Sequence, residues 1–123
     1  MSAKYVGLMI TVYLLTTWTS ASTQPSPESA QSLTGEIMDT LCAHYKGHQY
    51  MMQQMKSMGT DKKTCIQKCL QLGGKLALYN ASTRTVYVIT NPERAEPFEG
   101  QTVEISGTVK KDKVTIQEIK AIE

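Results

Sequence analysis

The residues of this chain best suited to chemistry are Cys42, His44, His48, Cys65 and Cys69. Cys65 and Cys69 are four apart, a spacing that stacks two side chains on one face of a helix. Both sulfurs can then point at one ion. The run Cys42-Ala-His44-Tyr-Lys-Gly-His48 supplies a third sulfur and an imidazole. Three thiolates and one imidazole make a tetrahedral set that zinc accepts, with Zn–S near ~2.3 Å and Zn–N near ~2.0 Å. Binding would release thiol protons and weaken in acid. His44 is only two residues from Cys42, an awkward distance for shared ligation, which favours His48. Glu36 and Asp39 are expected as solvated residues near a strand end.

Other outcomes stay open on spacing alone. The pattern C-x5-H followed by C-x3-C is looser than the C-x2-C knuckle usual in zinc sites. Three cysteines cannot all pair within one chain, so a disulfide from Cys42 to Cys65 or Cys69 would staple the segment and leave one thiol. Met51, Met55 and Met58 follow helical spacing, and His48 precedes the first by three residues. Thioether, thiolate and imidazole together suit copper(I), although a Met stripe also serves as adaptable core packing. A further alternative is a reactive thiol, with a helix starting after Thr64 lowering the pKa of Cys65. The sequence holds no Gly-rich phosphate loop, HExxH motif or nucleophile elbow, so catalysis is not evident.

The elements that must position these residues read as mainly β. Ser32 to Met38 predicts a first strand, with Leu33 and Ile37 on one face and a bend at Gly35. A Cys/His/Met-rich insert follows at about 39–73, with helix expected over 49–58 and, from an N-cap at Thr64, over 65–72. Lys75–Tyr79 and Thr85–Thr90 form a hairpin. Asn91-Pro92 starts a short helical turn, with Asn91 as its cap and Pro97 limiting its length. Two last strands, Gln101–Lys110 and Val114–Ile122, join at Lys111-Asp112-Lys113. The second slips phase from Ile116 to Ile119, which predicts a bulge. The order is that of a small five-stranded OB-like barrel with a helical insert between the first and second strands.

Residues 1–21 read as a cleavable signal peptide: Lys4, then the uncharged run Tyr5–Leu15, then small residues Thr19-Ser20-Ala21. The run is short for a membrane anchor, so no stable anchor is expected after processing. Residues 22–31, rich in Pro, Ser and Gln, read as a flexible linker, and 32–123 as the folded domain. The full chain carries a net charge of +2, which falls to +1 without Lys4. That balance, with Tyr45, Tyr50, Tyr79, Tyr87 and Phe98 as the remaining aromatics, excludes a nucleic-acid partner and leaves a protein or small molecule.

Four stretches resemble a family of uncharacterised exported bacterial proteins with an OB-like domain. They are Thr34-Gly-Glu-Ile-Met-Asp39 followed by Cys42; His48 with the Met pair; Cys65-Ile-Gln-Lys-Cys69 leading to Gly73-Gly74-Lys75; and Phe98-Glu-Gly100-Gln-Thr-Val103 running to Gly107. The resemblance spans Leu33 to Ile122, and it implies Cys42, His48, Cys65 and Cys69 as a metal or redox set. His44 and the longer Met-rich insert depart from that pattern. A more distant similarity, to periplasmic OB-like domains linked with stress tolerance, implies a binding module. The expectation is therefore an exported metal-binding module for zinc, or less readily copper. Its alternative is a disulfide-stapled interaction domain.

Overall fold

The computed structural model describes residues 30–122, so the signal-peptide expectation at 1–21 lies outside the described residues. The chain is mainly β, with five strands: β1 (Gln31–Asp39), β2 (Leu76–Asn80), β3 (Thr85–Ile89), β4 (Thr102–Lys110) and β5 (Lys113–Ala121). The first strand thus takes in Gln31, the last residue of the expected linker. Between β1 and β2 run α1 (Thr40–His44), α2 (His48–Gln54), a 3-10 turn (Lys56–Met58) and α3 (Lys62–Gln71). Two further 3-10 turns, Pro92–Arg94 and Glu96–Phe98, connect β3 to β4. Pro97 lies inside the second of these turns. Among the described residues no helix is long and apolar enough to cross a membrane.

The strands pair in the order β1-β2-β3-β5-β4, and β4 pairs back onto β1, so the sheet closes on itself. Closure depends on β1 serving two neighbours. Its first half pairs with β4, Gln31 with Gly107 through Glu36 with Thr102. Its second half pairs with β2, Glu36 with Tyr79 through Asp39 with Leu76. The change of partner falls beside Gly35, where an added Cβ would sit 2.5 Å from the Tyr79 carbonyl oxygen. Only glycine lets the strand pass so close to β2. The predicted bulge is present, because Ser106 pairs with Glu118 while Gly107 pairs with Ile116. One residue of β5 is left over, which moves Ile119 out of phase with Val114 and Ile116.

Inside the closed sheet, Ile37, Leu78, Val103, Ile105, Val114 and Ile116 form the core. The helix α3 contributes Ile66, fully buried, with Leu70 packed beside it. Its neighbouring stripe, Cys65 and Cys69, joins a separate cluster with Cys42, Met51 and Met58. The helix is therefore a partition, with the sheet core on one side and the sulfur-rich cluster on the other.

Two caps differ from expectation. The α3 N-cap is Asp61 in place of Thr64: its Oδ1 accepts from the Thr64 amide at 2.9 Å and its Oδ2 from the Thr64 hydroxyl at 2.7 Å. A carboxylate that holds both groups of the residue three positions on outcompetes the hydroxyl as a cap. The helix starts three residues early as a result. Asn91 does not cap the Pro92 turn with its side chain. Instead its amide donates to the Ile116 carbonyl at 2.9 Å and its Oδ1 accepts from the Ile116 amide at 2.8 Å. It replaces a strand residue where the two-residue parallel pairing of β3 with β5 runs out. Asn91→Ala strands both Ile116 groups, at about 1–3 kcal/mol. A lower urea midpoint with unchanged metal content is the expected result.

Candidate metal centre

Cys42, Cys65 and Cys69 are each fully buried, and all three are free thiols. The Cys42 Sγ lies 3.5 Å from that of Cys65 and 3.6 Å from that of Cys69. Neither separation is a disulfide, whose sulfurs are about 2.05 Å apart. The i,i+4 pair on α3 faces the insert as its spacing predicts. Cys42 comes to it from α1, which begins directly where β1 ends.

The local sequence explains how Cys42 is held. Asp39 ends β1 and caps α1, its Oδ1 accepting from the Cys42 amide at 2.7 Å. After five helical residues the chain turns through Lys46 at φ +66° and Gly47 at φ +93°. The Gly47 amide donates to the Cys42 carbonyl at 2.8 Å. That left-handed turn folds the chain back, so His48, the first residue of α2, returns beside Cys42. Asp39, Cys42 and His48 each offer a ligand atom within 4.8 Å of the others, as do Cys42, Cys65 and Cys69. Cys42 is the shared member of the two groups.

The two histidines separate cleanly. His44 is exposed, whereas His48 is 4% exposed. Neither ring nitrogen of His48 has a hydrogen-bond partner. Its Nε2 lies 3.3 Å from Glu36 Oε1, without the alignment of a hydrogen bond. Lys62 Nζ approaches the same oxygen at 3.3 Å. Burial of Glu36 works against its charge, but His48 and Lys62 together outweigh it and hold the carboxyl below its ordinary range.

Glu36 and Asp39 are thus not the solvated residues their position suggests. Asp39 is fully buried, and its Oδ2 has no hydrogen-bond partner. A buried carboxylate oxygen without a donor is costly unless something positive or protonated faces it. The one local signal for it was the capping geometry of Asp39 three residues ahead of Cys42.

The Met stripe is broken. The helix α2 ends at Gln54, Met55 leaves helical geometry as its C-cap, and its side chain is exposed. Met51 and Met58 remain buried against the three cysteines, with Met52 partly buried beside them.

Electrostatics here run against a reactive thiolate. Burial, then the carboxylate of Asp39, pushes the Cys42 thiol far above the usual thiol range. Burial likewise pushes Cys69 up to about 12. The Cys65 amide already donates to the Asp61 carbonyl at 3.1 Å, a full turn into α3, so it does not sit at a free helix N-terminus. A nucleophilic cysteine needs a lowered pKa and access to solvent; Cys42 and Cys69 have neither, and Cys65 is fully buried. A dication can displace their protons, since coordination deprotonates a thiol outright.

Compared with protein-family models, with curated proteins and with solved structures, the chain matches none. What it does must therefore be argued from the sulfur, imidazole and carboxylate groups gathered around Cys42.

Proposed function

We propose that this chain is an exported, OB-like metal-binding module in which Cys42, Cys65, Cys69 and His48 hold one zinc ion. The observation that carries the reading is the spacing of the sulfurs. A tetrahedral centre with Zn–S of about 2.3 Å has ligand sulfurs about 3.8 Å apart. Cys42 stands 3.5 and 3.6 Å from its two partners, close to that edge before any ion is added. His48, buried with both nitrogens unpartnered, is the neighbouring donor that completes four ligands. Four protein ligands leave no position for substrate, so the site is structural. It ties α1, α2 and α3 to the end of β1.

The strand order and the return of β4 onto β1 support the OB-like assignment. Export is supported by Lys4, the run Tyr5–Leu15 and the small residues that follow. The near-neutral charge supports a protein or small-molecule partner. Copper(I) is the second reading, favoured by Met51 and Met58 packed against the thiols.

Elemental analysis of protein purified without chelator, beside a thiol count, tests this. One zinc per chain with three countable thiols after unfolding is the expected result, and Cys65→Ser should lose the metal. One copper per chain selects the second reading. A metal-free protein with a two-hydrogen mass deficit would replace both by a disulfide-stapled interaction domain.

A further inference from the structure

His48 differs from the three thiols in where it lies. With Glu36, Lys46, Lys62 and Asn80 it lines a cleft of about 450 Å3. The three cysteines line none of that cleft and are buried in one cluster with Met51 and Met58. The imidazole therefore stands between the sulfur cluster and the cleft, and its two nitrogens meet different surroundings.

We infer that Glu36 is a positioning residue of the metal centre: its carboxylate accepts a hydrogen bond from the Nε2–H of His48, which keeps the proton on Nε2 and presents Nδ1 to the ion. The inference rests on the zinc reading above and adds to it a defined ring orientation. A neutral imidazole has one N–H and one lone pair. A metal takes the lone pair, and the other nitrogen must then carry the proton. In a buried ring that proton needs an acceptor, which in metal sites is commonly a carboxylate. Glu36 Oε1 is the acceptor at hand, 3.3 Å from Nε2. Neither nitrogen has a hydrogen-bond partner, but only Nε2 has a carboxylate beside it, which leaves Nδ1 as the nitrogen for a ligand bond.

Three elements meet at this contact. Glu36 lies on β1, His48 opens α2, and Lys62 opens α3, the helix that carries Cys65 and Cys69. Lys62 is 53% exposed and reaches Glu36 from the cleft side. The ion pair therefore holds the carboxylate toward the histidine and links the cleft to the helix of the two sulfurs.

Side-chain 15N NMR of the purified protein, recorded before and after one equivalent of zinc, tests the assignment. The expected result is a zinc-bound His48 with its proton on Nε2 and its Nδ1 resonance shifted by the metal, while exposed His44 is unmoved. Zinc bound through Nε2, or zinc bound with His48 resonances unchanged, overturns the inference and leaves a thiolate centre standing. Failure to take up zinc at all removes the metal reading, and the inference with it. Glu36→Leu should weaken zinc binding about 10- to 100-fold. Glu36→Gln, which keeps an acceptor oxygen, should retain both the tautomer and most of the affinity. A Leu variant that binds zinc as tightly as the parent, with the same tautomer, also overturns it.

Discussion

Zinc added to metal-free protein is expected to raise its thermal unfolding midpoint by roughly 15–30 °C, at a free concentration about a thousandfold above Kd. Such an excess is worth about 4 kcal/mol to a state that binds the ion when the unfolded chain does not. In a domain of about 100 residues each kcal/mol moves the midpoint by about 4–8 °C. The large effect follows from where the ligands sit. Cys42 and His48 belong to helices of five and seven residues, too short to be stable alone. Cys65 and Cys69 lie on α3 on the other side of the cluster. One ion would cross-link all three helices. Cys42→Ser should abolish the zinc-dependent shift because Cys42 is the member common to both donor groups. The metal-free midpoint of that variant serves as its own reference. A shift below about 2 °C would count against any zinc site in the fold, and a shift that Cys42→Ser retains would place the ion elsewhere.

Without metal the same cluster is held together by modest forces. Buried S–H groups are weak donors, and Cys42 has two sulfur neighbours for its one proton. Asp39 Oδ2 and both His48 nitrogens lack hydrogen-bond partners beside them. A set of buried polar atoms that satisfy each other so poorly costs stability, unless its use lies in what it binds. The sheet core does not share this problem, being built from aliphatic side chains such as Ile37, Leu78 and Val103. Stability is thus concentrated in the closed sheet. An ion held by the cysteine cluster would therefore stabilise the insert more than the sheet.

How much of this was legible in the sequence follows from which signals are local. The hairpin of β2 and β3 could be read because alternation and the polar turn between its strands lie within fifteen residues or so. The bulge in β5 could be read because Ile119 breaks a period of two. Cys65 and Cys69 could be paired because a helix stacks residues four apart. Other features depended on competition or closure. Thr64 and Asp61 both carry capping groups, and only the folded turn shows the carboxylate holding the threonine. Met55 fits the helical period of Met51 and Met58, yet α2 has already ended at Gln54. Asp39 and Glu36 look like ordinary polar strand residues. Their burial arises only when α1 and α2 fold back over the end of β1, a tertiary event with no pattern of its own.

Adding the metal should replace a loss of stability confined to high pH with a gain that rises through neutral pH. In the metal-free protein, burial holds the Cys69 thiol up to about 12 and pushes that of Cys42 well above the ordinary thiol range. An unfolded chain ionises its thiols near 9.0. Above that pH the unfolded state binds fewer protons than the native one, so stability falls as pH rises. Each such thiol contributes a loss of about 1.4 kcal/mol per pH unit, continuing until the folded pKa is passed. Below about 9 these two groups contribute no slope. With zinc bound, the protons of Cys42 and Cys69 must leave as the ion arrives. Zinc affinity at neutral pH should therefore rise by about a hundredfold per pH unit from these two thiols, and the stability of the loaded protein with it. Urea unfolding from pH 6 to 10, with and without zinc, reads both slopes. A metal-free protein that stays flat above pH 9.5 would mean that the thiols ionise within the fold. Zinc stabilisation independent of pH between 6 and 8 would mean that the ion displaces no thiol protons, and would place it outside the cysteine cluster.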